Sequence, residues 1–192
     1  MNLQKAPDSN SSLALAVRPQ AGLGYQLALV VGGSLLVALA AQIEIPMWPV
    51  PVTMQTFAVL LVGGLLGSRL GAMSLLLYLA EGALGLPVFA GGAGSVLHFA
   101  GPTAGYLFGF VAAAFVAGWL CERGWSRKVE TAVFAMFLGT AAIYLFGLPW
   151  LAQFTGWDKV LQLGLIPFIP GDVLKVILAA LALPLGWKIC KQ

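Results

Sequence analysis

Between Glu81 and Glu122 the chain runs forty residues without a Lys, Arg, Asp or Glu. Few water-soluble folds could bury such a stretch. Broken once by a cluster of Gly, Ala and Ser, it reads as the end of one membrane helix, a re-entering loop, and a second helix. The remainder agrees: 60% of the residues are hydrophobic and 9% charged, against about 25% charged in an ordinary soluble domain. The expected fold is therefore an all-α integral membrane protein.

The apolar segments divide into six transmembrane helices, over residues 19–43, 54–67, 70–84, 103–120, 131–148 and 170–187. Residues 1–20 read as a polar tail without the apolar core and cleavage site of a signal peptide. Residues 21–192 form one six-helix transmembrane domain, in which 86–98 is a Gly-rich loop and 149–169 a long amphipathic connection. An even number of spans puts both termini on one side. Lys5, Arg18, Arg69, Arg123, Arg127, Lys128, Lys188 and Lys191, eight of the ten basic residues, fall on that side. The positive-inside rule then makes it the cytoplasm. Lys159 lies on the other face and Lys175 inside the last span.

Charge and thiols exclude several function classes. The net charge of +3 belongs to loops facing anionic lipid and gives no reason to expect nucleic acid. Cys121 and Cys190 each sit at the basic end of an apolar segment, which predicts reduced thiols and no disulfide. A single histidine leaves no metal-binding cluster. The loop Val88-Phe89-Ala90-Gly91-Gly92-Ala93-Gly94-Ser95 has the glycines of a phosphate loop but not its Gly-Lys-Ser/Thr ending. Close backbone approach to a ligand or a helix explains those glycines better.

The strongest chemical signal is Pro170-Gly171-Asp172-Val173-Leu174-Lys175. Pro170 suits a first helical position, and Asp172 then sits in the first turn, where the helix dipole favours a carboxylate. Lys175, three residues on, shares its face. Charges set into an apolar span are costly and normally face a protein interior or a cavity. The pair either locks the helix end internally or forms a polar handle for a solute. Glu81 is the other acid inside an apolar run, with interface placement favoured over the cavity. His98 reads as a hydrogen-bonded loop residue ahead of a substrate contact or proton relay. Most of the aromatic residues at span ends (Trp48, Phe89, Phe99, Tyr106) are interfacial anchors, and one or two could stack on a planar ligand. On the first span Ala28-xxx-Gly32 and Ser34-xxx-Ala38 set small residues four apart, a spacing that suits internal packing or docking to a membrane partner.

Four motifs in order resemble the BioY family of biotin transporters. They are Pro49-Val50-Pro51-Val52-Thr53-Met54-Gln55-Thr56; Gly85-Leu86-Pro87-Val88-Phe89-Ala90-Gly91-Gly92; Gly101-Pro102-Thr103-Ala104-Gly105-Tyr106 with Phe108-Gly109-Phe110; and Pro170-Gly171-Asp172 with Lys175. The resemblance runs from about Tyr25 to Trp187. It implies a substrate-binding S component of an energy-coupling factor transporter in the bacterial cytoplasmic membrane, with the vitamin site near the outer face. The implied partners are a transmembrane coupling protein and two cytoplasmic ATPases that would hydrolyse the ATP; no cofactor is expected in this chain. Asp172, Lys175, Gly91, Gly92, Tyr106, Phe89, Thr53 and Gln55 are the implied substrate-binding residues, and Ala28, Gly32, Ser34 and Ala38 the implied docking residues. The chain departs from the family's paired alanines on the first helix and carries Glu81 where an apolar residue is expected.

Biotin itself offers two N–H donors and a carbonyl on its ureido ring, an apolar thioether ring and tail, and a carboxylate. Asp172 can accept an N–H, and Lys175 can donate either to the carbonyl or to the carboxylate. The rival readings are an S component for another small vitamin, an intramembrane enzyme using Asp172, Glu81 and His98, and a non-catalytic structural subunit. The enzyme reading is weakest, because its three residues fall in three segments without catalytic spacing.

Overall fold

A computed structural model describes residues 12–17 and 22–190. Lys5, Arg18, Lys191 and the side chain of Cys190 lie outside the described residues, as does most of the 1–20 tail. Within that tail, Leu13–Val17 forms a short helix, α1, which packs against two of the later helices and buries Ala14. The long helices follow: α2 (Leu23–Ala41), α3 (Gln55–Leu66), α4 (Ser68–Ala83), α5 (Ala104–Glu122), α6 (Val129–Thr155) and α8 (Ile169–Cys190), with a short α7 (Val160–Gly164) before the last. Between α2 and α3 a small antiparallel hairpin pairs β1 (Glu44–Ile45) with β2 (Val52–Thr53), Glu44 opposite Thr53.

Among the described residues four helices, α2, α5, α6 and α8, are long and apolar enough to cross a membrane. The other two are shorter, 12 residues in α3 and 16 in α4. At ~1.5 Å per residue they span roughly 18 and 24 Å, less than the ~30 Å hydrocarbon core. The outward faces of the bundle carry exposed Leu27, Leu35, Phe134, Phe137, Leu145 and Leu178. This apolar jacket is what lipid would solvate and water would not.

The core lies along α5, which packs against α3, α4 and α6. Its small residues let backbones meet: a Cβ at Gly109 would come within 2.8 Å of the Ile143 carbonyl on α6. Close contact of this kind replaces the hydrophobic driving force that helices lack in lipid. Cys121 is a free, buried thiol at the far end of α5.

One boundary differs from the sequence reading. The fifth span was expected to end at Leu148, with 149–169 as a connection, yet α6 continues through Pro149 to Thr155. The proline removes one helical N–H donor, a loss that membrane bundles tolerate when neighbours hold the helix. Here Leu151 and Ala152 are buried, and the Trp150 indole donates to the Gly101 carbonyl at 2.9 Å. Burial just beyond the proline keeps the helix going.

Candidate binding site

A cavity of about 110 Å³ lies where the N-terminal ends of α3, α5 and α8 meet the middle of α6. Its lining is mostly apolar, from Val50 and Pro51 of the hairpin region to Leu107, Phe110, Ile143 and Phe168. The loop after α4 covers it with Phe89, Ala90 and His98. Polar groups enter from few directions, as in small-molecule sites generally.

The α8 pair supplies the charge. Asp172 and Lys175 are each 6% exposed, and Lys175 Nζ lies 3.4 Å from Asp172 Oδ1. The helix begins at Ile169, one residue before Pro170, and the Asp172 N–H donates to the Phe168 carbonyl at 2.8 Å. Two hydroxyls add to the carboxylate: Tyr144 donates a short bond to Oδ2, and Thr56 lies 3.4 Å from Oδ1. An ionised carboxylate offers about four acceptor positions, and an ammonium three donors. Three contacts on the acid and one on the base leave one acceptor position and two donors for a ligand. The two charges cancel, so the cavity presents an adjacent donor and acceptor without net charge.

A second polar chain starts at α3. Thr53 Oγ1 donates to Gln55 Oε1 at 2.9 Å and accepts the Gln55 N–H at 3.2 Å. Gln55 Nε2 donates to the Tyr78 hydroxyl at 2.6 Å, and that hydroxyl donates to the Val88 carbonyl at 3.1 Å. The cavity wall is thereby linked to the covering loop through a tyrosine that is completely buried. Gln42, at the end of α2, donates to the Phe89 carbonyl at 3.2 Å, a second tie on the same loop.

Aromatic rings close the remaining sides. Phe89 meets Tyr78 edge-on at 5.4 Å, and the His98 ring stacks over it at 5.0 Å. His98 Nε2 lies 3.2 Å from Thr103 Oγ1, and burial draws its imidazole below the ordinary value of 6.5. Tyr106 donates to the Gly164 carbonyl at 2.9 Å, stacks on Phe168 and meets Tyr144 edge-on.

Asp172, Lys175, Tyr106, Phe89, Thr53 and Gln55 all line the cavity, and so does His98. Gly91 and Gly92 do not: both are exposed, at φ +69°, and turn the loop so that Phe89 and Ala90 face inward. Glu81 lies away from the cavity and accepts a short hydrogen bond from Ser34 on α2. Ser34 is accordingly buried against α4, whereas Ala28 and Gly32 lie on the open face of α2 and Ala38 is half-buried. Tyr144, Thr140 and Thr56 line the site without having been singled out. Thr140 and Tyr144 stand four apart in an otherwise apolar span, a one-face polar pair that the spacing rule could have picked out.

The model of the BioY family matches residues 13–192 of this chain. The probable biotin transporter BioY of Pyrococcus horikoshii is 43% identical over 146 residues, covering 76% of this chain and 86% of its own. The biotin transporter BioY of Rhizobium etli is 44% identical over 142 residues, covering 69% and 75%. The crystal structure of an S-component for biotin from an ECF-type ABC transporter aligns with a TM-score of 0.74. That alignment is 26% identical and covers 87% of this chain and 91% of the other.

Proposed function

From the premise that this chain belongs to the BioY family, we propose that its cavity binds biotin for uptake across a bacterial cytoplasmic membrane. The chain acts as the S component of an energy-coupling factor transporter. It captures and carries the vitamin without chemical change; a transmembrane coupling protein and two ATPases hydrolyse ATP on its behalf. All six long helices cross the bilayer, α3 and α4 with help from the hairpin and the covering loop at their outer ends. Both termini are cytoplasmic. Arg69, Arg123, Arg127, Lys128 and Lys188 all sit at the helix ends opposite the cavity, so the vitamin enters from outside. The open face of α2 at Ala28 and Gly32 is the docking side for the coupling protein, with Ser34 committed to Glu81 inside the bundle.

The observation that carries this reading is the buried Asp172–Lys175 pair, the only ionised groups that line the cavity among the described residues. A ureido group carries an N–H donor beside a carbonyl acceptor, which complements an acid and an ammonium 3.4 Å apart. A ligand carboxylate at the same place would sit against Asp172 as a like charge. The ureido head therefore faces α8, and the aromatic walls at Phe89, Tyr106 and Phe168 take the apolar bicycle.

Calorimetric titration of the purified chain in detergent tests the assignment. Biotin and its carboxamide both bind tightly, whereas 2-iminobiotin, which brings a cation towards Lys175, binds weakly. Tight binding of another vitamin with none of biotin would make the chain an S component for that vitamin. Tight 2-iminobiotin binding with loss of the carboxamide would place the carboxylate at α8 instead.

A further inference from the structure

At the other end of α5, roughly 24 Å along the helix from Tyr106 at ~1.5 Å per residue, a groove of about 570 Å³ opens between α4 and α5. Its six lining residues are Ser68 and Arg69 from the first turn of α4, Phe115, Trp119 and Glu122 from α5, and Arg123 just past its end. Phe115, Trp119 and Glu122–Arg123 follow one another at one-turn intervals, so a single face descends from charge to aromatic ring. Phe115 is 46% and Trp119 43% exposed. The cavity described above, and its function, use none of these groups.

We infer that this groove binds the headgroup of an anionic phospholipid that carries hydroxyl groups, such as phosphatidylglycerol. Arg123 holds its guanidinium flat over the Trp119 ring, 3.3 Å from the centroid, and donates to the Trp119 carbonyl at 3.1 Å. Stacking fixes the plane of a fork that suits phosphate oxygens. Arg69, exposed across the groove, makes no ion pair among the described residues. The two arginines thus offer converging donors to one phosphate.

Charge decides between lipid classes: the Arg69 and Arg123 cations outnumber the Glu122 carboxylate two to one, so the groove favours an anionic headgroup over a zwitterionic one. Glu122 Oε1 accepts the Ser68 N–H and its Oε2 the Ser68 hydroxyl, each at 2.9 Å. Those bonds anchor the start of α4 and leave acceptor positions on the carboxylate. A glycerol headgroup brings hydroxyl donors to them and leaves the phosphate charge to the arginines, whereas a choline would set its own cation against Glu122 beside two guanidiniums and leave the groove with excess positive charge. Phe115 and Trp119, directly below, meet the glycerol backbone and upper acyl chain at the depth where aromatic rings favour the membrane interface. Basic pockets between helices are a recurring site for anionic headgroups. A free phosphate would use the arginines but not the aromatic half of the groove.

Native mass spectrometry of the full chain, released from nanodiscs of equal parts phosphatidylglycerol and phosphatidylcholine, tests this. Phosphatidylglycerol is retained in preference to phosphatidylcholine. Arg69→Gln with Arg123→Gln lowers that retention by roughly ten- to thirty-fold, the scale of two arginines at an anionic surface; Lys128→Gln, basic and exposed but outside the groove, leaves it unchanged. Arg69→Gln alone, at an exposed position, gives a smaller loss in the same direction and serves if the double variant does not fold. Equal retention of both lipids, or unchanged retention in both Arg variants, overturns the proposal. Displacement of the lipid by millimolar inorganic phosphate would make the site one for a soluble anion and also overturns it. So does a double variant that keeps its lipid but loses the coupling protein on co-purification, since the groove is then a protein interface.

Discussion

Whether Asp172 and Lys175 hold a ligand or only each other can be decided by removing both. Each is 6% exposed, and they are 3.4 Å apart. Lys175→Met strips the carboxylate of its counter-charge in a low-dielectric setting and should cost about 3–5 kcal/mol of fold stability. Asp172→Asn does the same to the ammonium, and the Tyr144 and Thr56 hydroxyls cannot neutralise a cation. The double variant Asp172→Asn/Lys175→Met leaves no buried charge and should regain most of that loss, because neutral replacements of buried pairs are often harmless. Binding behaves differently. The double variant loses the ammonium donor and keeps only a neutral amide oxygen where the ureido group met a carboxylate, and each single variant lacks one of these charged partners, so affinity falls by about 2–5 kcal/mol throughout. That corresponds to a roughly thirty-fold to several-thousand-fold rise in Kd. Thermal unfolding and calorimetric titration of the same detergent samples separate the two effects. A double variant that regains stability and binds biotin as tightly as the unmodified chain would show that the pair is a helix lock and refute the site.

Three further outcomes follow from the surrounding geometry. Tyr78→Phe keeps the ring against Phe89 but removes the hydroxyl between Gln55 and Val88. The expected cost is about 1–3 kcal/mol of stability, with faster biotin release in stopped-flow; an unchanged release rate would mean that the loop is held elsewhere. His98 has a folded-state value below its unfolded one, so its contribution is complete above ~6.5 and is lost as pH falls through the lowered value. Biotin affinity should decline on that acid limb and do so less in His98→Gln; identical profiles would dismiss the imidazole. Gly32→Leu meets no protein atom within 4 Å of its new Cβ, so binding and stability persist while co-purification with the coupling protein falls, and full recovery of the complex would clear α2 of that role.

The parts of this fold legible in the sequence are those where lipid imposes a rule. Apolar runs marked the helices, and the α8 charges stood out because an apolar span has no ordinary use for them. Pro149 misled because its local cost is visible in sequence while the burial of Leu151 and Ala152 that offsets it is not. Gly91 and Gly92 were read as contacts, yet their positive φ serves the turn that delivers Phe89. Glu81 was placed at the interface for want of any sign that Ser34, 47 positions earlier, would meet it. Tyr144 escaped notice for a related reason: tyrosines inside spans are common, and only the approach of α6 to α8 gives this one a carboxylate.

The site divides its work between two kinds of element, and the division should be visible in rates. On the proposed reading, affinity resides on rigid helices, where Asp172, Lys175 and Tyr144 are fixed by α6 and α8. Access resides on the loop after α4, held down by single hydrogen bonds from Tyr78 to Val88 and from Gln42 to Phe89. Each such bond is worth only about 0.5–1.5 kcal/mol net, so on that reading parting the loop costs chiefly the withdrawal of the buried Phe89 ring from Tyr78. Changes on α8 should then act almost wholly on the dissociation rate. Changes at Gln42 or Tyr78 should raise entry and exit rates together, with Kd moving less than either. If loop variants altered Kd as strongly as Lys175→Met while leaving the association rate untouched, the covering segment would be part of the grip and not the door.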